Sequence, residues 1–284
     1  GGEITVEETD EPKRILVDTS HTNQFSREDF EPLTEALFEA NHTIAVSGDS
    51  GTAGDDQFDT TTGYNATLQK YDAVIIIQPT TRFTATELAA VRNYTAKGGR
   101  VLVMGEPSQT QVGAFSSTTV SFGADNLTAE YGVHMGSERL FNLDQSATDN
   151  NFKSIYASPS GNGALTDGVD TVTFDTAGYI NVREDSDAEV LLRADEGATT
   201  LQTRQTARYP TVVRNGNVAF VADSSFLDQS ELYDLDNDVF VSNLLNFLVE
   251  GERPDLVEDD ETGTGAVTGP PTSPAAGEQP TVEP

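Results

Sequence analysis

At 284 residues the chain can bury a sizeable core, as one large domain or two small ones. Its 47 Asp plus Glu against 16 Lys plus Arg give a net charge of −31, which repels nucleic acid and anionic lipid and excludes both as expected partners. The absence of cysteine removes disulfides, thiolate metal sites and any cysteine nucleophile.

Residues 1–12 are acidic and read as a short mobile arm. The start at Gly1-Gly2-Glu3, without Met, suggests a processed piece. Arg14-Ile15-Leu16-Val17 is the first expected strand, ending at Asp18-Thr19-Ser20-His21-Thr22-Asn23. Ser26 should then cap a helix with Asp29 in its first turn and an inner stripe of Phe30, Leu33, Leu37 and Phe38. Thr43-Ile44-Ala45-Val46 is the second strand, running into the polar loop Ser47-Gly48-Asp49-Ser50-Gly51. A loop and short helix lead to Lys70.

The most informative stretch follows. Ala73-Val74-Ile75-Ile76-Ile77 and Val101-Leu102-Val103-Met104 are apolar runs without polar alternation, as strands buried on both faces require. Between them Thr84 and Glu87 form a capping box, with Phe83 and Leu88 as its hydrophobic staple. Leu88, Val91, Tyr94 and Thr95 share a helical face, and Gly98 sits at a left-handed C-cap. The order βαβαβαβ predicts a doubly wound, mostly parallel α/β sheet of the flavodoxin or Rossmann kind.

Beyond Pro107 the pattern loosens into a β-rich second half of the same domain. Asp125 or Asn126 can cap a helix closed by Gly132, after which Val133-His134-Met135 reads as extended. Residues 142–163, rich in Asn, Asp, Ser and Gly, should form a surface excursion. Strand-like pieces come at Val169–Phe174, Gly178–Val182 and Val190–Arg193. A hairpin then turns at Asn215-Gly216 between Pro210–Val213 and Val218–Val221. The last helix, Val239 to Val249, is capped by Asp236 or Asn237, points Phe240, Leu244, Phe247 and Leu248 inward, and stops at Gly251. The expected domain thus spans 13–250. Residues 251–284, rich in Pro, Thr, Gly and Glu, cannot offset their ordering entropy and read as a disordered stalk or a plain tail.

In open parallel sheets ligands sit at the carboxyl ends of the strands. Those ends carry Asp18, Thr19, Ser20 and His21; Ser47 and Asp49; Gln78 and Thr80; Gly105 and Glu106; and Asp223, Ser224 and Ser225. They form the candidate ligand site. The alternative is that each Asp and Ser merely caps the next turn. As an enzyme, the chain would use His21 with Asp18, Glu106 or Asp223 as an acid–base site, with or without a divalent metal. No G-x-S-x-G elbow supports a Ser–His–Asp arrangement. Asp234, Asp236 and Asp238 mimic the opening of a calcium loop, but Val239 and Leu245 occupy the positions that need Gly and Glu. No dinucleotide or Walker loop follows the first strand, so no cofactor is expected. Asn41, Asn65, Asn93 and Asn126 stand in glycosylation sequons, which a chain this rich in threonine also produces by chance.

In their order across 13–250, several motifs resemble a known family. They are Arg14–Ser20, Asp72–Pro107, Tyr131-Gly132-Val133, Ala164-Leu165-Thr166-Asp167-Gly168-Val169, and Asn217–Phe226 with Asp236-Asn237. Together they resemble the extracytoplasmic class I glutamine amidotransferase-like domains of unknown function found in halophilic archaea and bacteria. Similar domains are the auxiliary subunit of gliding-motility ABC transporters and the intraflagellar-transport GIFT domain. In active relatives of the wider superfamily a cysteine stands on the turn after the fourth strand. Here that turn is Met104-Gly105-Glu106-Pro107, so thioester chemistry cannot run there. The resemblance implies a non-catalytic module on the extracytoplasmic face of the membrane, the cytoplasm being the alternative. Its expected partner is a small polar ligand, a glycan or a membrane protein.

A dispersed charge of −31, with only Lys13, Lys70, Lys97 and Lys153 as ammonium groups, points to function in molar salt, where the screening length falls to about 3 Å. Dilution into millimolar salt should unfold the domain. Circular dichroism that is unchanged between the two conditions would sink this expectation.

Overall fold

The computed structural model describes residues 2–47 and 63–254. The loop expected at 48–51 and the tail beyond Pro254 lie outside the described residues.

The first half runs β1 (Arg14–Val17), α1 (Glu31–Glu39), β2 (Thr43–Val46), α2 (Gly63–Leu68), β3 (Ala73–Ile77), α3 (Ala85–Ala96) and β4 (Arg100–Met104), in the order expected. The second half opens with a hairpin of β5 (Gln109–Val112) and β6 (Ser117–Val120), then α4 (Asp125–Glu130) and β7 (Val133–Met135). It continues through β8 (Leu140–Phe141), β9 (Ser154–Pro159), β10 (Val172–Asp175), β11 (Ile180–Val182), β12 (Glu189–Ala194) and β13 (Thr199–Thr200). β14 (Pro210–Asn215), β15 (Val218–Val221) and α5 (Asn237–Val249) complete it.

Nine strands form one sheet in the order β10-β9-β12-β14-β15-β4-β3-β1-β2. Pairings from β2 to β15 are parallel, and those from β15 out to β10 are antiparallel. The sheet is therefore mixed, with a parallel half and an antiparallel half. All five residues of β3 are buried. Ala73, Ile75 and Ile77 face a layer containing α1 and α5, while Val74 and Ile76 face a layer containing α2, α3 and α4. Two covered faces explain why the central strands show no polar alternation. Thr84 and Glu87 close the capping box as expected, and Gly98 adopts φ +108°.

Several expectations fail for identifiable reasons. Phe38 is 76% exposed, because α1 is entered through a one-turn 3-10 segment at Glu28–Phe30 with Pro32 in its first turn; Ser26 makes no cap. Neither Asp125 nor Asn126 caps α4. Asp236 and Asn237 do not cap α5 through their side chains; they accept backbone N–H groups of Asp170, Thr171 and Thr173, tying the helix to β10. Residues 142–163 are not wholly an excursion, since β9 joins the main sheet and buries Ile155 and Ala157. The hairpin loop is Gly216-Asn217, not Asn215-Gly216: Asn215 pairs with Val218, and Gly216 alone takes positive φ, the II′ pattern.

The acidic arm is held from its first described residues. Ile4 is buried, and the N–H groups of Thr5 and Glu7 donate to Ser242 and Asn246 on α5. At the other end Glu252 and Arg253 donate backbone N–H groups to Gly98 and Asp72.

Phe240 is fully buried among Phe174 and Phe226, whereas Phe38 faces solvent. Phe240→Ala should lower the unfolding free energy by about 3–5 kcal/mol. Phe38→Ser should change it by less than about 0.5 kcal/mol. Denaturant melts in molar salt check both, and equal effects would contradict the packing described.

Candidate functional site

The strand ends of the parallel half divide the expected residues into two groups. The first surrounds His21, which is 2% exposed. Its Nδ1 lies 3.1 Å from Asp18 Oδ2 and 2.9 Å from Ser20 Oγ, and its Nε2 lies 3.3 Å from Glu87 Oε2. Phe83 stacks on the imidazole at 3.6 Å between centroids, and Tyr64 meets it edge-on while donating its hydroxyl to Asp18. Burial opposes the imidazolium, but Asp18 and Glu87 outweigh it and raise the His21 pKa above 6.5. Glu87 also accepts Thr84 N–H in the capping box; against burial, Thr84 and His21 keep its carboxyl below its usual range. With both nitrogens committed to carboxylates and one ring face covered, His21 joins the tip of β1 to the start of α3.

The second group lies beyond β3, β4 and β15. Gln78 directly follows β3 at φ +36°, a strained value for a side-chain-bearing residue, and accepts Glu106 N–H through Oε1 at 2.7 Å. Glu106 Oε1 accepts both Ser224 N–H and Ser224 Oγ–H, at 2.8 and 2.6 Å. Asp223 is fully buried; its Oδ2 accepts Ser225 Oγ–H, and its Oδ1 has no partner among the described residues. Burial, then the charge of Glu106, pushes the Asp223 pKa well up. Burial likewise raises Glu106 above 4.5, the Ser224 hydrogen bonds opposing it and the charge of Asp175 adding to it. A cavity of about 400 Å³ opens here, lined by Gln24, Gln78, Glu106, Gln109, Gln111, Val120, Arg139, Asp175, Thr176 and Ser225.

The remaining candidates make contacts within the fold. Thr19 bonds Ser47, and Thr80 Oγ1 donates to the Thr22 carbonyl. Gly105 donates its N–H to Val221, and a Cβ there would meet Phe122 at 2.8 Å, so the turn after β4 is closely covered. Among the described residues no three His, Asp or Glu converge as metal ligands. Asn41, Asn65 and Asn93 are exposed, but both ends of the Asn126 amide clamp the backbone of Phe83. Reading strand ends only in the parallel half missed Asp175, which terminates β10 and reaches the cavity from the antiparallel half. Nothing in the sequence around Arg139 marks it, and Gln109 and Gln111 lie on a hairpin whose polar alternation gave no core signal.

Raised folded-state pKa values make the titration signs agree. A group that holds its proton more tightly when folded gives stability that falls as pH rises. For Glu106 and Asp223 the loss begins above their ordinary 4.5 and 3.8 and ends at their raised values; for His21 it begins above 6.5. The denaturation midpoint in molar salt should therefore fall from about pH 5 to pH 8. Glu106→Gln should flatten the lower part of that curve and His21→Gln the upper part. A midpoint that rises with pH would contradict both assignments.

The sheet order and this site can be set beside known proteins. The N-terminal domain of mmIFT52 superposes with a TM-score of 0.62 at 16% identity, over 84% of this chain and 98% of that one. A ThuA-like protein from Bacteroides uniformis gives 0.51 at 12% identity, over 88% and 97%. A glutamine amidotransferase from Thermotoga maritima is more distant, at 0.40 and 9% identity over 84% and 96%. At these identities the first two show a shared fold and nothing about activity. No curated protein matches the sequence. The family model described as ABC-type uncharacterized transport system matches residues 19–215, more than half of the sequence, and the chain belongs to that ABC transport auxiliary family.

Proposed function

We propose that the chain is a non-catalytic binding module of an ABC-type transport system, taking a small polar ligand in the cavity around Glu106 and meeting a membrane-protein partner. The observation that carries the reading is the cavity itself. Half-buried Glu106 donates its N–H to the side chain of strained Gln78 at the carboxyl ends of two central strands, beside a charged lining. Such strain and burial accompany ligand sites because a fold does not retain them for stability. Family membership supports the transport assignment. The order β2-β1-β3-β4-β15, with helices on both faces, supports reading the parallel half as flavodoxin-like, whose ligands bind at these strand ends.

The hydrolase alternative needs an accessible imidazole near the carboxylates. His21 does meet Asp18 and Glu87, but it is enclosed, and among the described residues no hydrogen bond or ion pair joins it to Glu106 or Asp223. A glutaminase of the amidotransferase kind would need a cysteine that the chain lacks. We place the module in molar salt on the extracytoplasmic face. The dispersed acidic charge, the scarcity of lysine and the Pro/Thr/Gly-rich 251–284 segment support that placement. A glycan is the other occupant this polar face suits. Among the described residues no helix is long and apolar enough to cross a membrane.

A screen of small polar solutes against the full chain in molar KCl tests the reading. Binders should lose at least about tenfold affinity in Gln78→Ala and in Glu106→Gln, the range expected for one charged hydrogen bond. Binders indifferent to both substitutions, or none at all, would remove the cavity as the site.

A further inference from the structure

The cavity holds opposite charges apart. Arg139 lines it, and among the described residues its guanidinium makes no hydrogen bond and no ion pair. In a chain with three acidic residues for nearly every basic one, an arginine has carboxylates within reach almost anywhere. Across the same cavity Glu106 uses Oε1 for both Ser224 donors, leaving Oε2 without a partner among the described residues. Arg139 is close enough to favour the Glu106 carboxylate through space, yet the two do not touch. Asp175 adds negative charge on the Glu106 side, its oxygens already taken by Ser154 and Thr176. Gln78 has its Oε1 occupied by Glu106 N–H, and its Nε2 makes no bond among the described residues.

Resting on the reading of this cavity as the ligand site, we propose that the ligand is a small zwitterion. Its carboxylate lies on Arg139 and its ammonium on Glu106, with the Gln78 amide between. Other charge types fit worse. A plain anion on Arg139 would face Glu106 and Asp175. A plain cation on Glu106 would face Arg139. A neutral solute would desolvate both charges and pair neither, which is the costly arrangement for buried ions. Molar salt strengthens the case for a tethered pair: single ions compete for each end separately, whereas a zwitterion delivers the second charge at a high effective concentration once the first is bound. At about 400 Å³ the cavity lies at the small end of ligand pockets, which suits a molecule with few atoms between its charges.

The test is calorimetric titration of the full chain in molar KCl. Glycine, β-alanine and γ-aminobutyrate step the spacing between the charges; acetate, methylammonium and glycerol supply one charge or none. At least one zwitterion should bind about tenfold or more tightly than acetate and methylammonium, the ratio expected for one charge-assisted contact. Arg139→Gln should remove its advantage over methylammonium, and Glu106→Gln its advantage over acetate. Arg139→Lys should restore most of the affinity. Circular dichroism confirms that each variant is folded. Zwitterion binding unchanged in Arg139→Gln, or matched by the single-ended controls, overturns the proposal. Glycerol binding that depends on Gln78, without zwitterion binding, overturns the proposal and leaves the cavity as a site. Silence across both panels overturns the ligand site as well.

Discussion

The two-sided burial of β3 and β4 is the constraint from which the rest follows. Where β3 and β4 are covered on both faces, from Ala73 to Ile77 and from Val101 to Met104, they carry no polar side chain, so hydrogen-bonding capacity is driven to their ends. At the carboxyl ends the chain must turn while satisfying donors and acceptors that water reaches poorly. It does so with polar side chains: Asp18 with Ser20 and His21, Gln78 with the Glu106 N–H, Glu106 with Ser224, and Asp223 with Ser225. The same rule that makes the sheet therefore makes two polar clusters above it. One is closed by an aromatic ring and fastens elements together. The other is left open to a cavity.

What separates the clusters is covering. Phe83 is the staple residue before α3, and stacking on His21 places it over the only histidine at these strand ends. Among the described residues no ring stacks on Glu106; Phe122 approaches Gly105 instead, and Glu106 lines the cavity with Arg139 and Asp175. A capping residue, Glu87, thus serves twice. It satisfies the first turn of α3 and fixes the imidazole. The cations are similarly economical: Arg100 and Arg214 both lie over Phe247, and Arg14 over Tyr71, so scarce positive charge shields aromatic surface at the edge of the core.

The parallel half was legible because its signals are local. Apolar runs, a capping box and a glycine stop specify β3, α3 and β4 without reference to distant residues. The antiparallel half was harder. β9 alternates Ile155 and Ala157 with Tyr156 and Ser158 amid Asn, Asp and Ser, and it becomes a strand only because β10 and β12 pair with it. Phe38 occupies an inward position of the helical stripe yet faces solvent, because periodicity fixes a face only relative to an assumed start. At the site, Asp18, Gln78, Glu106 and Asp223 were readable as strand ends. Arg139 and Asp175 were not, since they arrive from segments whose place depends on the completed sheet.

The position of β15 has a consequence for how the protein is made. β15 lies against β4 in the middle of the sheet, although more than a hundred residues of chain separate them. Until residues 218–221 emerge, β4 presents an unpaired edge that is apolar from Val101 to Met104, the kind that recruits strands from other molecules. The N-terminal arm waits longer still, because its anchoring groups Ser242 and Asn246 belong to α5. Vectorial synthesis therefore yields the βαβ scaffold early and its closure late.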